Sequence, residues 1–326
     1  MKKVTYFVLA TAAAISATTI SNGAHASGKR VAWFDAGPTH PYVAMLNKTF
    51  NDRAKELGLE VTQFDTPYDP ALQSQQVDDA IARKFDLLAV MPTSQKGIVP
   101  ALNRAKQAGI PVVIINNGIV PGVENLYVTE VGEDNKKLGG LSATALMDAL
   151  KKSGRDTAKV ALITGNLSEG VGKARLEGFN EAIKAMPKVK VVATEDAFWD
   201  TAKSEQIAGQ LFAKFAAEGG LDAVVGWSDN QNAGIARAAA AAGLSFGNEK
   251  GKLLMVGISC DKYGVELIKE GKEIGTGLQS PMRTGKRAAE LVADALDKKT
   301  LPKFVELPVL TIDKANLGEW APACTY

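Results

Sequence analysis

The chain reads as an α/β protein made of two similar lobes, each a doubly wound parallel sheet. Three observations predict this. Short runs rich in valine, isoleucine and leucine recur along the chain, and most are apolar on both faces, as strands buried from both sides must be. Helical patterns of ten to twenty residues separate most of these runs. The alternation pauses near 132–137 and restarts at 159, so one α/β unit follows another without a Ser- or Pro-rich tether.

The strand-like runs are 30–35, 60–65, 86–91, 111–116, 126–131, 159–164, 189–195, 223–227, 254–259 and 276–279. Between them, 41–57 carries Tyr42, Met45, Leu46, Thr49 and Phe50 at the helical period, and Gly58 ends it. A helix over 95–108 stops at Gly109, with Pro111 beyond. Helices over 174–185 and 201–217 stop before Pro187 and at Gly219. A helix over 281–298 opens with Pro281 behind a capping Ser280. The alanine-rich 236–242 is the packed interior of another helix.

Residues 1–26 have the layout of a cleaved export signal. Lys2 and Lys3 precede an uncharged apolar stretch, and Ala24-His25-Ala26 offers small residues where a signal peptidase reads. No cysteine stands near the cut, so no lipid anchor is expected. The two lysines account for the whole formal net charge of +2, leaving a neutral mature chain. Such a chain lacks the electrostatic footprint of a nucleic-acid binder. The remaining length suits two domains of ~100–200 residues each. A soluble periplasmic protein is the expectation.

Cys260 and Cys324 are the two cysteines. In an oxidising compartment they are expected to pair, closing a long loop worth roughly 4 kcal/mol in the chain-entropy model. Neither has a neighbouring histidine or CxxC spacing, so no metal or redox centre is expected.

In open α/β sheets, ligands bind beyond the carboxyl ends of the strands. The loops leaving those ends are rich in Asn, Asp, Ser and Gln, with Trp and Tyr interspersed. That mixture suits an uncharged polyhydroxy ligand, with flat faces for C–H surfaces and amides for hydroxyls. The same Asp, Asn and Ser could equally cap the helices that begin there, notably Ser94, Asp200 and Asp229. Catalysis is not expected. The mature chain has one histidine, His40, and no G-x-S-x-G elbow, complete phosphate loop or dinucleotide fingerprint. No cofactor follows from the sequence.

Several short pieces, in order, resemble the type I periplasmic sugar-binding proteins, the ribose-binding-protein group that serves ABC importers. They are Pro41-Tyr42, Val90-Met91-Pro92-Thr93-Ser94, Gly109-Ile110-Pro111-Val112, Asp134-Asn135 with Leu138-Gly139-Gly140, Arg175 with Glu177-Gly178-Phe179, Asp222-Ala223-Val224 and Val256-Gly257-Ile258. The resemblance implies two lobes joined by three hinge crossings, near Glu133, Gln279 and Glu306. The lobes would then be 27–133 plus 280–306, and 134–279 plus 307–326. It implies ligand contacts at His40, Tyr42, Trp199 and Gln279. It also marks departures: a gripping Asp-Arg pair reads Asn116-Asn117, a pocket arginine becomes Lys173, and an asparagine and an aspartate become Ser228 and Ser259. Asp35 and Trp227, at strand ends, are further candidates, whereas Trp33 inside its strand reads as core. The implied function is capture of a sugar or sugar alcohol for a membrane ABC permease by a monomeric carrier, which could also serve a chemoreceptor. The departures widen the cargo to a deoxy or modified sugar or another small polar metabolite. If Asp35, Tyr42, Trp199 and Trp227 converge, an organic cation becomes an alternative. A transcription regulator of this fold would carry a DNA-binding head where the export signal stands.

Overall fold

A computed structural model describes residues 28–37 and 39–326; the expected export signal lies outside them. The elements run β1 (Arg30–Phe34), α1 (Pro41–Glu56), β2 (Glu60–Phe64), α2 (Pro70–Ala82), β3 (Leu87–Val90), α3 (Val99–Gln107), β4 (Val112–Ile115), β5 (Thr129–Glu133), α4 (Asn135–Lys152) and β6 (Ala158–Thr164). They continue α5 (Gly170–Ala182), β7 (Val189–Asp196), α6 (Thr201–Ala216), β8 (Ala223–Gly226), α7 (Asp229–Ala241), β9 (Leu254–Ser259), α8 (Lys262–Lys269) and β10 (Gly275–Leu278). The last are α9 (Pro281–Leu296), β11 (Phe304–Leu307), β12 (Thr311–Asp313) and α10 (Leu317–Trp320).

The strands form two six-stranded sheets, β11-β5-β4-β3-β1-β2 and β12-β10-β9-β8-β6-β7. The first is parallel throughout, and the second is parallel except for β12 against β10. Each reverses strand order next to its first strand, at β1/β3 and at β6/β8, and such switch points open a crevice for ligands. The chain passes between the sheets three times: after β5, after β10 and after β11.

Period-two alternation explains why both faces are covered. In β1, Val31 and Trp33 join one core cluster, and Ala32 and Phe34 join the cluster on the opposite face. Val160 and Leu162 against Ala161 and Ile163 do the same in β6. The contact between α4 and α5 is backbone-close from both sides. A Cβ on Gly139 of α4 would sit 2.0 Å from the Arg175 carbonyl oxygen, and one on Gly178 of α5 would sit 1.8 Å from that of Lys136. These glycines occupy two of the short pieces singled out in the sequence, and their role is this contact.

Some expectations need correction. Residues 124–126 form a 3-10 turn, and the strand begins only at Thr129. The carbonyls of Glu124 and Tyr127 accept from the Lys303 ammonium rather than from a ladder, and the Gly122 N–H goes to the Glu124 carboxylate. The Ser280 hydroxyl does not cap α9; it donates to the Ala323 carbonyl at 3.4 Å. β11 and β12 carry no sequence signal: they are edge strands of four and three residues beside Pro302 and Pro308. Cys260 and Cys324 are joined in a disulfide, as expected.

Candidate functional site

A cavity lies between the carboxyl ends of the two sheets. His40, Tyr42, Val43, Tyr68, Met91, Asn116 and Asn117 line it from the first sheet's side. Glu169, Val171, Arg175, Trp199, Ser228 and Ser259 face them, with Gln279 at the crossing after β10.

The first wall is built by α1. His40 is its N-cap, and the imidazole Nδ1 accepts the Tyr42 N–H at 3.2 Å. A neutral ring must then carry its proton on Nε2. Burial, then the positive Arg175, hold the His40 pKa down at about 4, so the ring is neutral at physiological pH. Its Nε2 has no hydrogen-bond partner; the Asn230 amide approaches without completing one. The Tyr42 hydroxyl donates to Asn116 Oδ1 at 2.8 Å. The left-handed Asn116 (φ +61°) turns its amide to donate to Asn117 Oδ1 at 2.7 Å, and Asn117 donates to the Pro92 carbonyl at 2.9 Å.

The opposite wall is organised by Arg175, which is buried and makes no ion pair among the described residues. Its Nε donates to Asn135 Oδ1 at 3.0 Å, Nη1 to the Trp227 carbonyl, and Nη2 to Gln279 Oε1 at 2.5 Å. Gln279 Nε2 then donates to the same Asn116 Oδ1 at 3.1 Å, so one hydrogen-bonded chain runs from wall to wall. Burial lowers the Arg175 pKa to about 10, which leaves it charged. Its guanidinium lies 5.4 Å from the ring centre of Trp199. Trp199 and Phe198 are both left-handed (φ +64° and +53°), a pair of turns fixed by Asp196, which accepts the Phe198 and Leu167 N–H groups. Gly165 makes room for the indole: a Cβ there would stand 2.2 Å from it. Glu169 is buried and its Oε1 has no partner. Burial pushes its pKa up to about 8, so it is an uncharged acid at neutral pH.

Eight of the eleven residues singled out in the sequence line the cavity: His40, Tyr42, Asn116, Asn117, Trp199, Ser228, Ser259 and Gln279. Three do not. The Asp35 carboxylate is turned into the first lobe, accepting the N–H groups of Gly37 and Thr66 and the amides of Asn47 and Gln63. The Trp227 ring is core, 5.8 Å from Phe179, and only its carbonyl reaches the site through Arg175. Lys173 is exposed, because Val171 and Arg175 occupy the cavity face of α5 and a residue midway between them points away. The cavity arginine is therefore Arg175, two positions further on. Glu169 and Tyr68 escaped the sequence reading. Tyr68 lies in a turn with φ +51° and packs against the core clusters of both lobes, and its only signal was an aromatic beside Pro67. Of the possible caps, Asp200 does cap α6, accepting the Lys203 N–H, whereas Asp229 is buried and accepts from Thr276 and the Cys260–Asp261 turn.

A family model described as periplasmic binding protein domain matches residues 32–300. The chain belongs to this family. It is 28% identical to the D-allose-binding periplasmic protein of Escherichia coli over 290 residues, covering 84% of this chain and 89% of that protein. It is 29% identical to the ribose import binding protein of Bacillus subtilis over 272 residues, covering 83% and 82%. A solute-binding protein of an ABC transporter from Bacillus halodurans, solved with bound myo-inositol, superposes with a TM-score of 0.82 at 20% identity, covering 92% of this chain and 99% of that one. No helix among the described residues is long and apolar enough to cross a membrane.

Proposed function

We propose that the chain is the periplasmic binding component of an ABC importer, and that it captures a neutral sugar or sugar alcohol. The lobes 27–133 plus 280–306 and 134–279 plus 307–326 act as the two jaws. The observation that carries this reading is the cavity lining: amides and hydroxyls of both hydrogen-bonding senses beside the flat faces of Trp199 and the two tyrosines. His40 Nε2–H and Glu169 Oε1, two buried lining atoms without partners, offer ligand hydroxyls one donor and one carboxyl oxygen. An organic cation is disfavoured, because Arg175 brings a positive charge to the lining while Asp35 and Trp227 stay outside it. Residues 1–26 direct the chain out of the cytoplasm and are removed, and the carrier works as a monomer that meets the permease and, where one exists, a chemoreceptor. A thermal-shift screen with D-ribose, D-allose, xylitol, myo-inositol and choline tests the reading. A sugar or polyol should raise the melting temperature by mass action; a shift with choline alone would replace the proposal.

Two further outcomes are expected. Trp199→Ala should weaken binding of whichever sugar shifts the wild type by at least about tenfold, since stacking and the arginine contact are both lost. Calorimetry checks this, and unchanged affinity would remove Trp199 from the ligand's surroundings. Glu169 gives a pH dependence. Its folded pKa of about 8 lies above the ordinary 4.5, so the native state holds a proton that the unfolded chain releases across that window. The stability contribution is fully present below the ordinary value and falls as pH rises toward 8. Glu169→Gln, which mimics the protonated acid, should therefore raise the melting temperature relative to wild type at pH 8 but not at pH 5. Equal melting curves at both would show that the acid does not titrate there.

A further inference from the structure

The segment after β12 returns to the floor of the cleft and is fastened there three ways. The Cys260–Cys324 disulfide ties it to the loop after β9, the Ala323 carbonyl accepts from the Ser280 hydroxyl, and the Tyr326 side chain enters the hinge. The Tyr326 hydroxyl donates to the Ser259 carbonyl at 3.1 Å, with the Gln279 carbonyl at 3.4 Å as a second acceptor. Those two residues end β9 and flank the end of β10, and both line the cavity. The Tyr326 ring meets Tyr42 of the opposite wall edge to face, with ring centres 6.2 Å apart at 76°, and packs in the first lobe's core cluster. Ser259 and Cys260 both have positive φ, +121° and +56°, a conformation L-residues adopt at a cost unless their surroundings impose it. The disulfide and the tyrosine hydroxyl hold that turn from the tail side, while the Thr276 hydroxyl accepts the Cys260 N–H and Asp229 accepts the Asp261 N–H from within the lobe.

We infer that Tyr326 is a positioning residue of the cleft. Held by the disulfide, it sets the turn at Ser259 and the main chain at Gln279 and braces both against α1 of the other lobe. The hydroxyl does the setting and the ring does the bracing, so the two functions separate by substitution. This inference rests on reading the cleft as the sugar site, but part of its test needs no sugar.

The test compares wild type, Tyr326→Phe and Tyr326→Ala with the pair Cys260→Ser and Cys324→Ser combined, all as full chains. In the ligand-free protein, hydrogen exchange of peptides spanning 257–263 and 277–283 should quicken by about tenfold in Tyr326→Phe, while peptides in β1 and β6 keep wild-type rates. The disulfide-free pair should show the same pattern. With D-ribose, D-allose or xylitol, whichever binds wild type, stopped-flow fluorescence should show dissociation about fivefold to tenfold faster in Tyr326→Phe at an unchanged association rate. Tyr326→Ala should lose more, because the contact with Tyr42 goes too. Wild-type exchange at both peptides in Tyr326→Phe would overturn the inference. So would faster exchange accompanied by wild-type dissociation of a sugar that binds. If neither these three nor myo-inositol binds wild type, the sugar reading fails and the exchange result alone decides whether Tyr326 sets this turn.

Discussion

Arg175→Ala should abolish detectable sugar binding and destabilise the protein by on the order of 3 kcal/mol, the largest effect expected of any single side chain in the cleft. The guanidinium is donor to three separate acceptors: the Asn135 amide, the Trp227 carbonyl and the Gln279 amide. These acceptors belong to buried residues, and removing the donor leaves polar atoms that water reaches poorly. Gln279 would also lose the contact that aims its other end at Asn116, so the chain of hydrogen bonds between the walls would break in the middle. Arg175→Lys separates the charge from the fork. An ammonium keeps the positive charge but cannot satisfy three acceptors fixed in a planar fan, so this variant should fold and still bind at least about tenfold more weakly. Urea unfolding and calorimetry on the two variants check both halves. Wild-type affinity in Arg175→Lys would mean that charge alone, and not its geometry, holds the site together.

The same residue shows what the sequence could and could not say. The two-lobed α/β pattern was legible because doubly covered parallel strands must be apolar on both faces, and β1, β3, β4, β6, β8 and β9 are. Loops at the strand ends were legible as the site for the same topological reason. Side-chain direction on a helix was not. Lys173 and Arg175 both lie in the first turns of α5, and only the docking of α5 onto α4 decides which faces inward. Asp35 and Trp227 sit at strand ends, as cleft residues do, but neighbours far along the chain (Asn47 and Phe179) turn them into the cores. Glu169 had no signature at all. An acid beside glycines reads as a helix start, and only burial makes it a neutral hydrogen-bonding group.

Gly178→Ala is the second large effect. The added methyl carbon would stand 1.8 Å from the Lys136 carbonyl oxygen, about half an ordinary carbon–oxygen contact, and the obstacle is backbone that cannot rotate aside. α4 and α5 would have to part. Overpacking of this kind costs about 1–3 kcal/mol, and here the movement also carries Arg175 away from Gln279, so stability and binding should fall together. Gly139→Ala attacks the same seam from α4 and should behave alike. Gly140→Ala is the control: the nearest atom to its added carbon is 3.7 Å away, and alanine in a helix interior is about 1 kcal/mol better than glycine. Thermal melts of the three should show two losses and one small gain. A Gly178→Ala protein that melts and binds like wild type would mean the helices slide apart at no cost.

The order in which the sheets are completed has a consequence for synthesis. β11, the outermost strand beside β5, comes after every strand of the other sheet except β12, and α9, which covers α1, precedes it only slightly. Gly285 of α9 fits against the α1 backbone so closely that a Cβ would lie 2.8 Å from the Leu46 carbonyl oxygen. A growing chain therefore cannot close its first half early. Until residues 281–307 emerge, α1 lacks its cover and β5 presents an unpaired edge. No cut at a single peptide bond frees either half whole. The late closure ties native compaction of the first lobe to the completion of nearly the whole polypeptide.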